Sequence, residues 1–207
     1  MYLLTLVLGI VLLPEAFTLR CYECTSAQTG TCTETTKQCP SEKNQCAAQR
    51  LVSYAGSSKL LDVTGKSCAV SEECGELVID YGVSRTVISS KCCNSDLCNT
   101  QPAPEPSKTN PNGKKCFSCN GQTCTTTLNC QGNEDRCIST IMNVGNEKVT
   151  LKGCASKAIC TNMEFAQMTG AIGAEMSCCQ GDYCNSASST SAGLMLLVAP
   201  LISLVLS

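Results

Sequence analysis

Two octapeptides constrain this chain more than any other feature. Cys92-Cys93-Asn94-Ser95-Asp96-Leu97-Cys98-Asn99 returns eighty-six residues later as Cys178-Cys179-Gln180-Gly181-Asp182-Tyr183-Cys184-Asn185. Adjacent cysteines rarely bond to each other, because the ring that would link them strains the peptide between. Each therefore reaches a different partner, and disulfide geometry requires those partners to lie within about 4.4–6.8 Å, Cα to Cα. A vicinal pair satisfied in this way makes a knot where chain ends and hairpin bases meet. The chain holds two such knots, each closing a small stapled unit.

The remaining cysteines repeat with the knots. The first series is Cys21, Cys24, Cys32, Cys39, Cys46, Cys68, Cys74, Cys92, Cys93 and Cys98. The second is Cys116, Cys119, Cys124, Cys130, Cys137, Cys154, Cys160, Cys178, Cys179 and Cys184. Successive intervals of 3, 8, 7, 7, 22, 6, 18, 1 and 5 residues become 3, 5, 6, 7, 17, 6, 18, 1 and 5, so six of nine are identical. Matched cysteines at that fidelity mark a tandem duplication. Twenty cysteines in 207 residues is the density of a disulfide scaffold made in an oxidising compartment. Units of this size, with no Trp, five Tyr and three Phe in the whole chain, bury little apolar surface. Cross-links must supply the stability, at about 2–4 kcal/mol per bridge in the chain-entropy account. Spacing alone leaves the pairing within each ten-cysteine set open.

The segments outside the units carry addresses. From Leu3 to Leu13 an apolar run of eleven residues matches a signal-peptide core and is too short to span a bilayer. Pro14 to Thr18 break the run and offer small residues for cleavage, which places a signal peptide at 1–18 with the cut after Thr18. The first unit then covers 19–99. Between the units, 100–115 carries Pro102, Pro104, Pro106 and Pro111 and reads as an extended, semi-rigid spacer. The second unit covers 116–185. At the end, Ser186 to Gly193 is a run of eight small uncharged residues, followed by fourteen apolar ones from Leu194 to Ser207. That order is the attachment signal for a glycosylphosphatidylinositol (GPI) anchor, removed on attachment. Asn185 as acceptor leaves the full eight-residue spacer, whereas Ser186 or Ser188 leaves a shorter one.

Within the units the pattern is short strands. Gln45–Tyr54 and Lys59–Gly65 flank a small-residue turn at 55–58, and Glu76–Asp80 and Thr86–Ser90 flank another at 81–85. Arg136–Val144 and Lys148–Lys152 repeat the first of these around Gly145-Asn146, and 162–173 reads as a long loop, with room for a helical turn. The class is all-β.

These residues together bring a family into view. Leu19-Arg20-Cys21-Tyr22-Glu23-Cys24, ten cysteines per unit at this spacing and the closing Cys-Cys-x4-Cys-Asn resemble the lymphocyte antigen 6/urokinase receptor superfamily over nearly all of Leu19 to Asn185. Lys152-Gly153-Cys154-Ala155 is similar to later domains of multi-domain members. The resemblance implies two tandem disulfide-rich three-finger (snake-toxin-like) domains. It implies the pairs Cys21–Cys46, Cys24–Cys32, Cys39–Cys68, Cys74–Cys92 and Cys93–Cys98 in the first unit. In the second it implies Cys116–Cys137, Cys119–Cys124, Cys130–Cys154, Cys160–Cys178 and Cys179–Cys184. Asn99 and Asn185 look like the family's asparagine that ties the chain end to the central strands, a role suited to an amide that donates and accepts at once.

Chemistry that is missing narrows the function. Without histidine there is no His-based triad, imidazole base or HExxH zinc site. The Cys-x-x-Cys pairs at Cys21/Cys24 and Cys116/Cys119 have partners in complete even sets, which argues against redox or zinc chemistry. Glu72-Glu73 and Glu134-Asp135 read as solvated acidic pairs rather than catalytic dyads. Eight basic against nine acidic residues over 19–99, and six against six over 114–185, give no footprint for nucleic acid. The expectation is a binding protein, not an enzyme, with no cofactor and no metal. It is held at the extracellular face of the plasma membrane by its GPI lipid and engages an extracellular protein through its β-fingers. The alternatives are a secreted, inhibitor-type binding protein like the family's plasma phospholipase inhibitors, or a structural or adhesive coat. Aromatics, Arg and Met favour interface centres, which singles out Tyr54, Tyr81 and Arg85 in the first unit and Met163, Phe165 and Met168 in the second.

Replacing one member of a bridge tests the pairing. Cys74→Ser leaves Cys92 unpaired, with an expected loss of about 2–5 kcal/mol and impaired secretion. Secretion yield and melting temperature measure it, and a variant secreted and as heat-stable as its parent would show the pairing to be wrong.

Overall fold

The computed structural model describes residues 18–26, 32–120, 123–144, 147–161 and 175–186. In the first unit β1 (Arg20–Thr25) and β2 (Thr35–Gln38) make the first finger. The second finger is β3 (Gln45–Ala55) with β4 (Ser58–Ala69), and the third is β5 (Gly75–Asp80) with β6 (Ser84–Cys93). The second unit repeats this with β7 (Pro111–Asn120) and β8 (Thr123–Gln131), then β9 (Glu134–Val144) and β10 (Glu147–Ser156). A single helical turn, α1 (Lys157–Thr161), and β11 (Glu175–Cys179) follow. The two hairpins read from the first unit's sequence are therefore present, with a tighter turn at 56–57 than the four residues expected. The fingers β1/β2 and β7/β8 went unread. The loop expected over 162–173 and the tip at 145–146 lie outside the described residues.

All ten disulfides implied by the resemblance are formed, and none crosses between the units. At each finger base the sulfurs make their own small core: Cys21, Cys39, Cys46 and Cys68 in the first unit, Cys116, Cys130, Cys137 and Cys154 in the second. An asparagine closes each knot. Asn99 Oδ1 accepts from Tyr22 N–H at 3.0 Å while its Nδ2 donates to the carbonyls of Tyr22 and Ala47. Asn185 repeats the arrangement on Phe117 N–H and the carbonyls of Phe117 and Ile138. Both side chains are buried, where an unpaired amide would cost about 1–3 kcal/mol, so the full set of bonds is what makes the burial tolerable.

The units are not beads on a spacer. One nine-stranded sheet runs through both, in the order β11-β9-β10-β5-β6-β3-β4-β1-β2, leaving β7/β8 as a separate hairpin. The crossing point is β5 against β10, antiparallel, with Cys154 opposite Asp80 and Ala155 opposite Ile79. Ser156 Oγ accepts from Val78 N–H at 3.0 Å just beyond that ladder. Over the joint lies the largest hydrophobic cluster among the described residues, taken from both units: Leu77, Ile79, Tyr81 and Ile88 from the first, Ile138, Ala155 and Ile159 from the second. The turn α1 exists to seat Ile159, its one buried residue, on this cluster.

Gly153 makes the approach possible. A Cβ there would sit 1.9 Å from the carbonyl oxygen of Asp80 and 2.8 Å from Tyr81 Cα, a collision with backbone that no side-chain rotation relieves. This is the glycine of Lys152-Gly153-Cys154-Ala155, so the stretch that carried part of the resemblance is the stretch that docks the first unit.

The proline-rich segment departs from expectation. It is not a free spacer, and β7 opens at Pro111, inside the range 100–115, at the strand-start position where proline removes no ladder bond. Ahead of it the chain is fastened to the first unit. Lys66 Nζ donates to Thr100 O at 2.8 Å, Arg50 Nη2 meets Glu105 Oε1 at 2.8 Å, and Ser107 N–H donates to Glu76 Oε1 at 2.6 Å. Val52, Val87 and Val78 pair across β3, β6 and β5 and are buried. Each lies two residues from Arg50, Arg85 or Glu76, hence on the face the segment crosses.

The joint predicts its own failure. Gly153→Ala should force β10 off β5 and lower unfolding stability by about 1–3 kcal/mol, the usual cost of overpacking a filled site. Denaturant titration measures this, with disulfide mapping to show each unit's bridges intact. Wild-type stability in this variant would mean that the strands do not meet as described.

Candidate binding surface

Opposite residues in an antiparallel ladder share a face, so the row Val63–Leu51–Ile88–Leu77 can be followed across β4, β3, β6 and β5. It starts in the open and ends in the shared core, because Leu77 and Ile88 are 4% and 5% exposed while Leu51 and Val63 are only partly covered. The uncovered half is the floor of a groove of about 390 Å³ between the first finger and the central strands, whose walls include Glu23, Thr25, Lys37 and Lys43. Gln49 lies on the same floor opposite Gly65, where a Cβ would press on the Cys24 carbonyl oxygen at 3.1 Å. The rim charges are engaged locally: Lys37 Nζ meets Glu23 Oε1 at 2.6 Å and Lys43 Nζ donates to Cys68 O at 3.4 Å. An apolar slot ringed by satisfied charges suits an apolar side chain brought by a partner.

At the far end of the second finger a bulge turns a side chain outward. The register slips between Ser53 and Tyr54, so that Tyr54 faces Lys59, Ser53 faces Leu61, and Leu60 is left over. A bulged residue leaves the ladder and re-aims its side chain, and Leu60 is 68% exposed. Val83, in the turn of the third finger, is 54% exposed, and its carbonyl accepts from Gly56 N–H at 3.2 Å, tying the two tips together. Tyr54 is half-buried on β3, with Lys59 and Arg85 as its cross-strand neighbours. Leu60 and Val83 carry no such signal in the sequence, since neither is aromatic, Arg or Met, and a bulge leaves no mark in the residue types around it.

Two expected contacts are corrected. Tyr81 is 3% exposed, and its hydroxyl lies 2.8 Å from Thr140 Oγ1 on β9, so it belongs to the joint and not to a free fingertip. Arg85 reaches into the second unit. Its Nη1 donates to Gln131 Oε1 at 2.8 Å, and its Nη2 donates to Thr109 Oγ1 at 3.3 Å and lies 2.9 Å from Glu134 Oε1. Met163, Phe165 and Met168 lie outside the described residues. The acidic pair Glu134-Asp135 is also corrected, since Glu134 is fully buried and not solvated.

A second charge cluster fastens the linker. Arg50 holds Asp62 through Nε–Oδ1 and Nη2–Oδ2, each 2.8 Å, while Lys59 Nζ meets Asp62 Oδ2 at 2.8 Å and Glu105 takes the other side of Arg50. The Arg50 hydrogen bond, with Lys59 adding to it, holds the Asp62 carboxyl well below the usual carboxylate range. A depressed folded value means that the stabilisation is present above the unfolded pKa and is lost as pH falls through the folded one. Asp62→Asn should therefore be less stable than wild type at neutral pH and lose less on acidification below about pH 4, as read from melting temperature against pH. Parallel curves for the two proteins would remove Asp62 from the acid response.

The model of the u-PAR/Ly-6 domain matches residues 18–101 and 112–187. The urokinase plasminogen activator surface receptor of Mus musculus is 34% identical over 106 residues, 46% of this chain and 32% of the receptor, so the chain spans about a third of that relative. The phospholipase A2 inhibitor NAI of Notechis ater is 32% identical over 146 residues, covering 64% of this chain and 72% of the inhibitor. The glycosylphosphatidylinositol-anchored high density lipoprotein-binding protein 1 of Mus musculus is 32% identical over 100 residues, 48% of this chain and 42% of that protein. With the domain model spanning both disulfide-knotted units, the chain belongs to the u-PAR/Ly-6 domain family.

Proposed function

We propose that the chain is a binding protein displayed at the cell surface, which takes an extracellular protein against the groove and fingertips of its first unit. The observation that carries this reading is the row Val63–Leu51, left half-open where the same row is buried on the next two strands, β6 and β5. Leu60 and Val83 add exposed apolar side chains at the fingertips, with half-buried Tyr54 near the end of β3 on the face opposite the groove. The names of the relatives, a surface receptor, an inhibitor and a lipoprotein-binding protein, are all names of binders.

Display rests on the C-terminal signal, and the name of the glycosylphosphatidylinositol-anchored relative supports it. Asn185 is the acceptor in this reading, with Ser186 and Ser188 as alternatives. Attachment uses the main-chain carbonyl, so the Asn185 amide keeps its bonds to Phe117 and Ile138. The secreted, inhibitor-type reading draws its support from the Notechis ater inhibitor, which the chain matches over 72% of its length.

Both parts can be tested. Phosphatidylinositol-specific phospholipase C should release the protein from cells, and resistance with the C-terminal residues retained would reverse the anchor. For the groove, Gln49→Trp fills the slot opposite Gly65 without removing a core atom. It should weaken capture of the surface partner at least ten-fold with stability changed by no more than about 0.5 kcal/mol. Undiminished capture by this variant and by Leu60→Glu would move the contact surface elsewhere.

A further inference from the structure

The contact of Arg85 with the second unit is built around a carboxylate that water does not reach. Glu134 opens β9 at 0% exposure. Its Oε2 accepts from Gln131 N–H at 2.8 Å, but Oε1, although ion-paired with Arg85 Nη2 at 2.9 Å, is out of line for a hydrogen bond and accepts none. The Arg85 Nε is likewise buried without a partner. Around this pair the linker and both units converge. Thr109 Oγ1 donates to Gln131 Oε1 at 3.1 Å, Gly132 N–H donates to Asn110 O at 3.0 Å, and the Asn133 side chain donates to Glu76 O. Gly132 has φ +52°, and a Cβ on it would lie 2.7 Å from Thr109 Cγ2, so the turn is pressed against the linker.

Every neighbouring element contributes charge. Arg85 comes from β6, and Asp80 and Glu76 from β5. Asp135 and Arg136, paired at 3.2 Å, lie on β9 itself; Lys152 is on β10, and exposed Lys108 is on the linker. Asp80 is buried and spends Oδ1 on Gly82 N–H at 2.7 Å, so it adds negative charge near Glu134 without relieving it. A buried carboxylate with an oxygen that accepts no hydrogen bond gains from a proton, and it needs that proton most while the units are closed over it.

We propose that Glu134 is a proton-operated lock on the joint between the two units, holding them together more firmly as the surroundings acidify. Burial is the main cause that pushes the Glu134 carboxyl up to about 7; Asp80 adds to the effect, while Gln131 N–H and Arg85 oppose it. A folded value raised above the open one contributes stability that is fully present below the ordinary carboxylate pKa and is lost as pH rises through about 7. The chain contains no histidine, the side chain that ordinarily titrates in this range.

Amide hydrogen exchange on the purified full chain tests the lock, with rates corrected for the intrinsic effect of pH. Peptides covering β5 and β10 report the joint, and the β3/β4 ladder reports the fold of the first unit. Between about pH 7.5 and 5.5, protection at the joint should rise on the order of ten-fold in the wild type. Glu134→Gln, uncharged at both values, should be flat and close to the acid level. Arg85→Gln removes the opposing cation and should shift the midpoint of the wild-type rise to higher pH. A flat wild-type profile overturns the proposal. So does a Glu134→Gln variant that keeps the wild-type dependence or loses protection at every pH, and so does an Arg85→Gln midpoint that stays in place while the β3/β4 ladder remains protected.

Discussion

Backbone meets backbone at Gly153, and the aliphatic core exists because it does. Each unit keeps its sulfur knot to itself, and a knot buries little besides cysteine. The side chains that would make a conventional core are divided between the units, Leu77, Ile79 and Ile88 on one side and Ile138 and Ile159 on the other. They come into contact only when β10 lies against β5, and β10 can lie there only while position 153 has no Cβ. Disulfides therefore determine what each unit is, and one hydrogen atom in place of a methyl group determines that the two are a single body.

The cysteine intervals made the units, their order and their closing knots legible, because a bridge is a covalent constraint that any sequence satisfying it must display. The hairpins around 56–57 and 81–83 were legible for a similar reason, since small residues between apolar runs have few other uses. The joint was not legible. Tyr81 and Arg85 flank a turn, and one unit considered alone leaves such residues at a free tip. A hint was present in Leu77-Val78-Ile79, three consecutive apolar residues where a strand with one solvated face would alternate. Both faces of β5 are in fact covered. Glu134 was misjudged on the same ground, because an acidic pair looks solvated until a neighbouring domain encloses it. The prolines of the linker announced an extended spacer, but composition could not supply Arg50 and Glu76, which fasten the segment to the first unit.

The two guanidinium sites respond to acid in opposite directions although both pair arginine with a carboxylate. Arg50 and Asp62 meet in two aligned bonds at a partly open surface, with side chains 18% and 26% exposed, and the ionised form is the favoured one. Arg85 and Glu134 meet out of line with Glu134 fully buried, and the neutral form gains. Alignment and exposure decide the sign, not the identity of the partners. One cluster fastens the linker to the first unit and the other fastens the second unit to both, so the two attachments carry separate dependence on pH.

The joint also has a symmetry worth following. By cysteine position β10 in the second unit corresponds to β4 in the first, since Cys154 and Cys68 hold the same place in the repeat. In the first unit the outer edge of β4 is taken by its own first finger, β1. In the second, β7 has left that position to pair only with β8, and the edge is given to β5. Unlike edges thus meet, a third finger against a second, and no two-fold axis can relate the partners. Such a contact is heterologous, each unit bringing to it a different edge of the same repeat.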